Sequence, residues 1–105
     1  MNEQRLKQLQ ELLKSEPNDC FLLHAMGVEY FSSERYDNAI EFFKKAIFND
    51  KNYLASYYQL GQALERIDNN AEAIEVYRQG IEVAKKQNNN KALGELNQAL
   101  LMLED

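Results

Sequence analysis

Residues 23–46 read LHAMGVEYFSSERYDNAIEFFKKA, and residues 57–80 return to the same pattern, YYQLGQALERIDNNAEAIEVYRQG. The two stretches lie 34 residues apart. A fixed period of this length is typical of repeat proteins, in which each unit buries its apolar face only by stacking on a neighbour. The stretch therefore predicts a chain built around two similar units. The paired positions share small or apolar side chains: Gly27 with Gly61, Ala39 with Ala73, Ile40 with Ile74, and Phe43 with Tyr77.

The composition favours helices throughout the chain. Only four glycines and one proline occur in 105 residues, so most of the punctuation that turns and strands need is missing. Short polar connections between successive helices force neighbours to run antiparallel. The spacing of apolar residues predicts six helices, at about residues 3–15, 19–32, 36–48, 53–67, 71–87 and 91–103.

Polar residues precede four of these helices and are suited to capping them, because a side-chain oxygen can accept from the free amides of the first turn. Asn18 or Asp19 is expected to cap the second helix and Asn52 the fourth. Residues 68–70 and the asparagine triplet 88–90 offer the same chemistry before the fifth and sixth helices.

The repeated pattern resembles the tetratricopeptide repeat, a helix-turn-helix unit of 34 residues. The resemblance departs from the family at the proline place, where Lys51 and Lys85 stand. Counted from Cys20 and from Leu54, the family's small and apolar signature places are filled in repeat one by Leu23, Met26, Gly27, Tyr30, Ala39, Phe43 and Ala46, and in repeat two by Tyr57, Leu60, Gly61, Leu64, Ala73, Tyr77 and Gly80.

The resemblance implies an all-α fold, a right-handed solenoid of antiparallel helix pairs with about six helices. Residues 1–105 then form a single domain with four parts: an N-terminal capping helix at 1–16, repeat one at 20–53, repeat two at 54–87, and a C-terminal capping helix at 88–105.

The last predicted helix departs from the period. The place of a third glycine falls on Glu95, one residue after Gly94. Leu101 and Met102 lie off the apolar stripe of this helix, so they indicate either wider burial or a surface for self-association. The stripe expected to cover repeat two consists of Leu93, Leu96, Leu100 and Leu103.

Gly27 and Gly61 fall within predicted helices, where glycine costs about 1 kcal/mol relative to alanine. A need for close helix approach would explain them. We expect the small residues of the second helices to make that approach, with Phe43 and Tyr77 filling the wider space beside them. The small residues are Ala39, Ala46, Ala73 and Gly80.

The net charge of −5 disfavours binding to nucleic acids or to anionic membranes, since both need clustered lysine and arginine. No apolar run approaches the ~20 residues of a membrane span. The N-terminal sequence MNEQRLKQLQ also lacks the apolar core of a signal peptide. A soluble, cytoplasmic protein is therefore expected.

A search for chemistry finds one candidate pair, Cys20 and His24, four residues apart on one helical face. A zinc site needs three or four protein ligands, and the chain has no second cysteine or histidine. A nucleophilic pair would also need an orienting group and an oxyanion site. The interpretation that we favour is a half-buried cysteine and a groove-facing histidine. No enzyme, metal or cofactor is predicted.

The family resemblance implies a concave groove lined by the first helix of each repeat. Phe21, Phe31 and Tyr58 would supply aromatic anchors, although Phe21 and Phe31 have an alternative in packing on the N-terminal helix. The expected groove residues are Phe21, His24, Val28, Phe31, Tyr58, Gln62, Glu65 and Arg66.

Chaperone-tail-binding members of the family hold a terminal carboxylate with lysine, asparagine and arginine. The matching places here carry His24, Val28, Gln59, Asn89 and Leu93, so that clamp is predicted to be absent.

The function expected from the resemblance is a scaffold for protein-protein interaction that binds a peptide or helical segment of a partner in the groove. The alternative is a structural subunit that dimerises through its C-terminal helix. A monomer is favoured over a homodimer.

Overall fold

The computed structural model describes residues 2–104, and within this range the chain forms six helices and no strand. The all-α prediction is therefore confirmed. Met1 and Asp105, the outer ends of the predicted capping segments, lie outside the described residues. The helices are α1 (Glu3–Ser15), α2 (Cys20–Ser32), α3 (Tyr36–Asn49), α4 (Leu54–Arg66), α5 (Asn70–Lys86) and α6 (Asn90–Glu104).

Side-chain caps start three of the later helices. The Oδ1 atom of Asp19 accepts from the amide of Leu22 at 3.0 Å, and Asn69 Oδ1 accepts from Glu72 at 3.2 Å. Asn89 caps α6 in the same way through the amide of Ala92. These oxygens satisfy amides that have no partner inside the helix.

The predicted cap at Asn52 is wrong. Helix α4 begins after Tyr53, which makes no side-chain capping bond. The reason lies in the turn before it, where the amide of Asn52 donates to Asp50 Oδ1 at 2.9 Å and the amide of Tyr53 donates to the Asp50 carbonyl at 3.0 Å. Asn52 is therefore held within the turn rather than at the helix start.

Consecutive helices pack on one another along the whole chain, so the molecule is a stack of helix pairs. Helix α2 also contacts α4, and residues of α2, α4 and α6 face a shared surface. We call α2, α4 and α6 the inner helices, and α1, α3 and α5 the outer helices. The stack measures 40 × 28 × 19 Å.

The main hydrophobic core runs between the helix pairs, with Phe43, Ala63 and Tyr77 each fully buried. A smaller cluster joins α1 to the first repeat through Leu9 and Met26. Helix α6 packs on the main core through the stripe expected from the sequence, Leu93, Leu96, Leu100 and Leu103.

The structure corrects the packing expected around the two helical glycines. A Cβ atom built on Gly27 would lie 2.4 Å from the ring of Phe43, and one built on Gly61 would lie 2.2 Å from the ring of Tyr77. The aromatic rings themselves, rather than the small residues of the outer helices, therefore occupy the space above each glycine. Glycine is needed because any side chain would collide with a buried ring.

Helix α6 follows a different spacing from the two repeats. Helix α5 has 17 residues where α3 has 14. As a result, α6 begins at Asn90, 36 residues after the start of α4 at Leu54. At this spacing the buried Leu60 and Ala63 of α4 match the buried Leu96 and Ala99 of α6.

Candidate functional site

Two adjacent cavities lie between the inner helices, and both are lined by Tyr58 and Glu95. We refer to the surface that they form together as the inner groove. The first cavity, of about 330 Å³, lies near the start of these helices and is lined by His24, Leu54, Ala55, Tyr58, Gln59, Asn89, Lys91, Ala92, Glu95 and Leu96. The second, of about 430 Å³, lies nearer their ends and is lined by Tyr58, Gln62, Glu65, Glu95, Gln98, Ala99 and Met102.

Four of the eight groove residues expected from the sequence line these cavities. They are His24, Tyr58, Gln62 and Glu65. The other four lie elsewhere on the inner helices. They are Phe21, Val28, Phe31 and Arg66.

Phe31 and Arg66 meet at the end of α2 and α4, beside the start of α3. The Arg66 guanidinium lies 5.2 Å from the centre of the Phe31 ring, and its Nη1 atom donates to the Tyr36 hydroxyl at 2.8 Å. Phe31 packs against the main core rather than the N-terminal helix. Phe21 is 68% exposed, so it does not pack on the N-terminal helix either.

His24 forms part of the wall of the first cavity and is held by Ser56. Its Nδ1 atom lies 2.9 Å from the Ser56 hydroxyl, which is completely buried. The imidazole also lies against the rings of Phe43 and Tyr53. Burial lowers the pKa of His24, because a charged imidazolium loses its hydration there. The first cavity therefore has a neutral polar group in a fixed orientation.

Tyr77 reaches the second cavity from the outer helix α5. Its ring passes over Gly61, and its hydroxyl donates to Glu65 Oε2 at 2.5 Å while accepting from Gln62 Nε2 at 2.7 Å. Burial, followed by the nearby Glu65 carboxylate, raises the pKa of Tyr77 far above its usual range. The phenol therefore stays protonated and continues to donate to Glu65.

This polar network exists in only one of the two repeats. At the 34-residue offset, Tyr77, Gln62 and Glu65 correspond to Phe43, Val28 and Phe31. All three side chains of repeat one are apolar and have no hydrogen bond to offer. The two repeats thus share a backbone arrangement but present different chemistry to the inner surface.

Cys20 and His24 do not form a reactive pair. The Cys20 thiol donates to the carbonyl of Ala46 at 3.3 Å, and His24 is engaged by Ser56. Burial and the nearby Asp50 and Asp19 raise the pKa of the Cys20 thiol, which disfavours the thiolate. Across residues 2–104, no three His, Cys, Asp or Glu side chains are arranged to hold a metal ion.

The sequence analysis missed the contribution of α6 to the inner groove. Glu95, Gln98 and Met102 line the second cavity, and Lys91 lines the first. A search for burial at 36 residues from α4, rather than at 34, would have aligned α6 with the other inner helices. No helix between residues 2 and 104 is both long and apolar enough to cross a membrane.

The fold and this groove define a helical repeat protein with an open inner surface. A model of the tetratricopeptide repeat matches residues 22–53 and 54–87, and the chain belongs to this family. The family consists in general of non-catalytic interaction modules.

Solved structures of similar proteins agree with this assignment. A tetratricopeptide repeat domain protein from Salinibacter ruber is 36% identical, with 82% of this chain and 96% of that chain covered and a TM-score of 0.77. The TPR2B domain of yeast Sti1, in a complex with pHsp70, has a TM-score of 0.89 at 21% identity, with 94% of this chain and 79% of that chain covered. A protein from Bordetella parapertussis has a TM-score of 0.82 at 22% identity, with coverage of 94% and 86%. The last two likenesses concern the fold. No curated protein gave a significant match.

Proposed function

We propose that this protein is an interaction module that binds a peptide or a helical segment of another protein in the inner groove, without catalysis. The observation that carries the proposal is the continuity of the groove. Two cavities share Tyr58 and Glu95 and so form one trough along the inner helices. A trough of this kind suits an elongated ligand better than a compact small molecule.

Tyr58 is the central anchor in this proposal. Its side chain is half-buried and contributes to both cavities. Its ring centre lies 6.3 Å from that of the buried Tyr77, so the ring is supported from below. Aromatic residues near the centre of an interface tend to dominate its binding energy. The yeast Sti1 domain in complex with pHsp70 provides a precedent on the same fold.

A Tyr58→Ala variant is expected to bind groove ligands at least about tenfold more weakly, because it removes an aromatic anchor common to both cavities. Peptides are first selected from a displayed random library on the wild-type protein. The dissociation constants of the enriched peptides are then measured by fluorescence anisotropy for the wild type and the variant. Circular dichroism should show unchanged helical content.

Phe48→Ala serves as the matched control, because Phe48 is an aromatic residue on the outer helix α3 and is 85% exposed. Its removal is expected to leave peptide affinity unchanged. Loss of affinity in Phe48→Ala but not in Tyr58→Ala would move the binding site to the outer helices. A library without any enriched peptide would argue against peptide binding.

We further propose that α6 acts as a cap. At the 36-residue spacing, Asn97 takes the place that Gly61 has in α4. In both full repeats this place is glycine, and an aromatic ring from the following helix lies over it. An asparagine side chain fills the space that such a ring would need, which favours the end of the stack at α6.

Self-association through α6 is the second candidate function, because Leu101 and Met102 are 69% and 74% exposed. If this candidate is correct, light scattering should give the molar mass of a dimer for the wild type and of a monomer for Leu101→Asp, since burial of a charge would disrupt an apolar interface. A monomeric wild type over the whole accessible concentration range would exclude it.

A further inference from the structure

We propose that the second cavity of the inner groove recognises a basic side chain, lysine or arginine, of the bound segment. This inference rests on the proposed function, since it specifies the chemistry of the ligand at that same site. Two carboxylates, Glu65 and Glu95, line the cavity together with uncharged residues. Among the described residues that line it, none is basic.

The basic residues nearest in sequence do not neutralise these carboxylates. Arg66 follows Glu65 directly, but its guanidinium lies over Phe31 and donates to the Tyr36 hydroxyl. Lys91 lies one helical turn before Glu95 and lines the first cavity instead. Within residues 2–104, neither Glu65 nor Glu95 forms a salt bridge. Two uncompensated negative charges in a concave surface attract a cationic group.

Glu65 is also held in place for this role. The buried Tyr77 donates to its Oε2 atom, and Gln62 in turn donates to Tyr77. A carboxylate that is already oriented loses less conformational entropy when it binds a cation. Repeat one has only apolar residues at the corresponding places, so this part of the recognition is restricted to repeat two.

The uncharged neighbours in the cavity suit the rest of a lysine or arginine side chain. Tyr58, Ala99 and Met102 provide apolar surface for the aliphatic stem. The Tyr58 ring can in addition interact with a cation placed over its face. The expected occupant is therefore a segment of a partner protein in which a lysine or arginine lies beside an apolar residue.

The experiment uses the displayed peptide library with wild-type protein, Glu95→Gln and Glu95→Lys. Glu95 has no hydrogen-bond partner within residues 2–104, so its replacement removes charge without breaking an internal contact. Peptides enriched on the wild type are expected to carry lysine or arginine. Their dissociation constants should rise about fivefold in Glu95→Gln. Glu95→Lys should shift the enrichment towards acidic peptides.

Glu75→Gln is the matched control, because it changes the net charge equally on an exposed position of the outer helix α5. It should leave the affinities unchanged. Enriched peptides that lack basic residues, or that bind Glu95→Gln as tightly as the wild type but bind Tyr58→Ala weakly, would overturn the inference while the proposed groove function stands. Enriched peptides insensitive to Tyr58→Ala, or the absence of enrichment, would overturn both.

Discussion

A Phe43→Ala variant is expected to lose about 3–5 kcal/mol of its free energy of unfolding. The Phe43 side chain is completely inaccessible to solvent and covers Gly27 of the paired helix. Truncation would remove its apolar surface from the core and leave a cavity against the His24 ring, whose centre lies 5.4 Å away. Such a loss is a large fraction of the total stability of a small domain. Denaturation by guanidinium chloride, followed by circular dichroism, measures it.

The control for this prediction is Phe48→Ala, on the same outer helix α3. Phe48 is 85% exposed, so its truncation is expected to change the free energy of unfolding by no more than about 0.5 kcal/mol. The two variants remove the same atoms from the same helix, and they differ in burial. Similar losses for both would show that Phe43 is not the core residue described above.

A Gly61→Ala variant is expected to be less stable by about 1–3 kcal/mol, although alanine is the better helix former by about 1 kcal/mol. The new methyl group would lie 2.2 Å from the Tyr77 ring. That ring is fully buried, and its hydroxyl is bonded to Glu65 and Gln62, so it has little freedom to move. Thermal unfolding should show a fall in Tm of about 4–8 °C for each kcal/mol lost.

Gly94→Ala provides the opposite case within the same chain. A Cβ atom at Gly94 would meet nothing within 4 Å, and the residue lies within α6. Here the helix preference of alanine acts alone, and a gain of about 0.5–1 kcal/mol is expected. If both alanine variants shift Tm in the same direction, steric contact with Tyr77 is not the reason for glycine at position 61.

The helix positions were largely predictable from the sequence, because they depend on local patterns. Apolar spacing and polar punctuation placed all six helices within a few residues of their observed bounds. Asp19 and the asparagines at 69 and 89 act as caps, as their residue types indicate. The exception, Asn52, arose from competition within a turn that residue types alone do not reveal.

Only part of the candidate site could be predicted, because the groove depends on how distant segments meet. Tyr58, Gln62 and Glu65 followed from their places in the repeat, and the structure places them together at the second cavity. The contribution of α6 was missed because the longer α5 delays that helix by two residues relative to the repeat period.

The sequence by itself determined the class of the fold. Two matching stretches 34 residues apart fix helix pairs, and neither pair can bury its apolar face alone, so stacking follows from the sequence pattern. The tertiary structure decided which groups meet across the stack. It placed the Tyr77 ring over Gly61 and its hydroxyl beside Glu65, and it joined His24 to Ser56, 32 residues away. These contacts depend on the distance and angle between packed helices, which side-chain volumes set collectively and which no local pattern records.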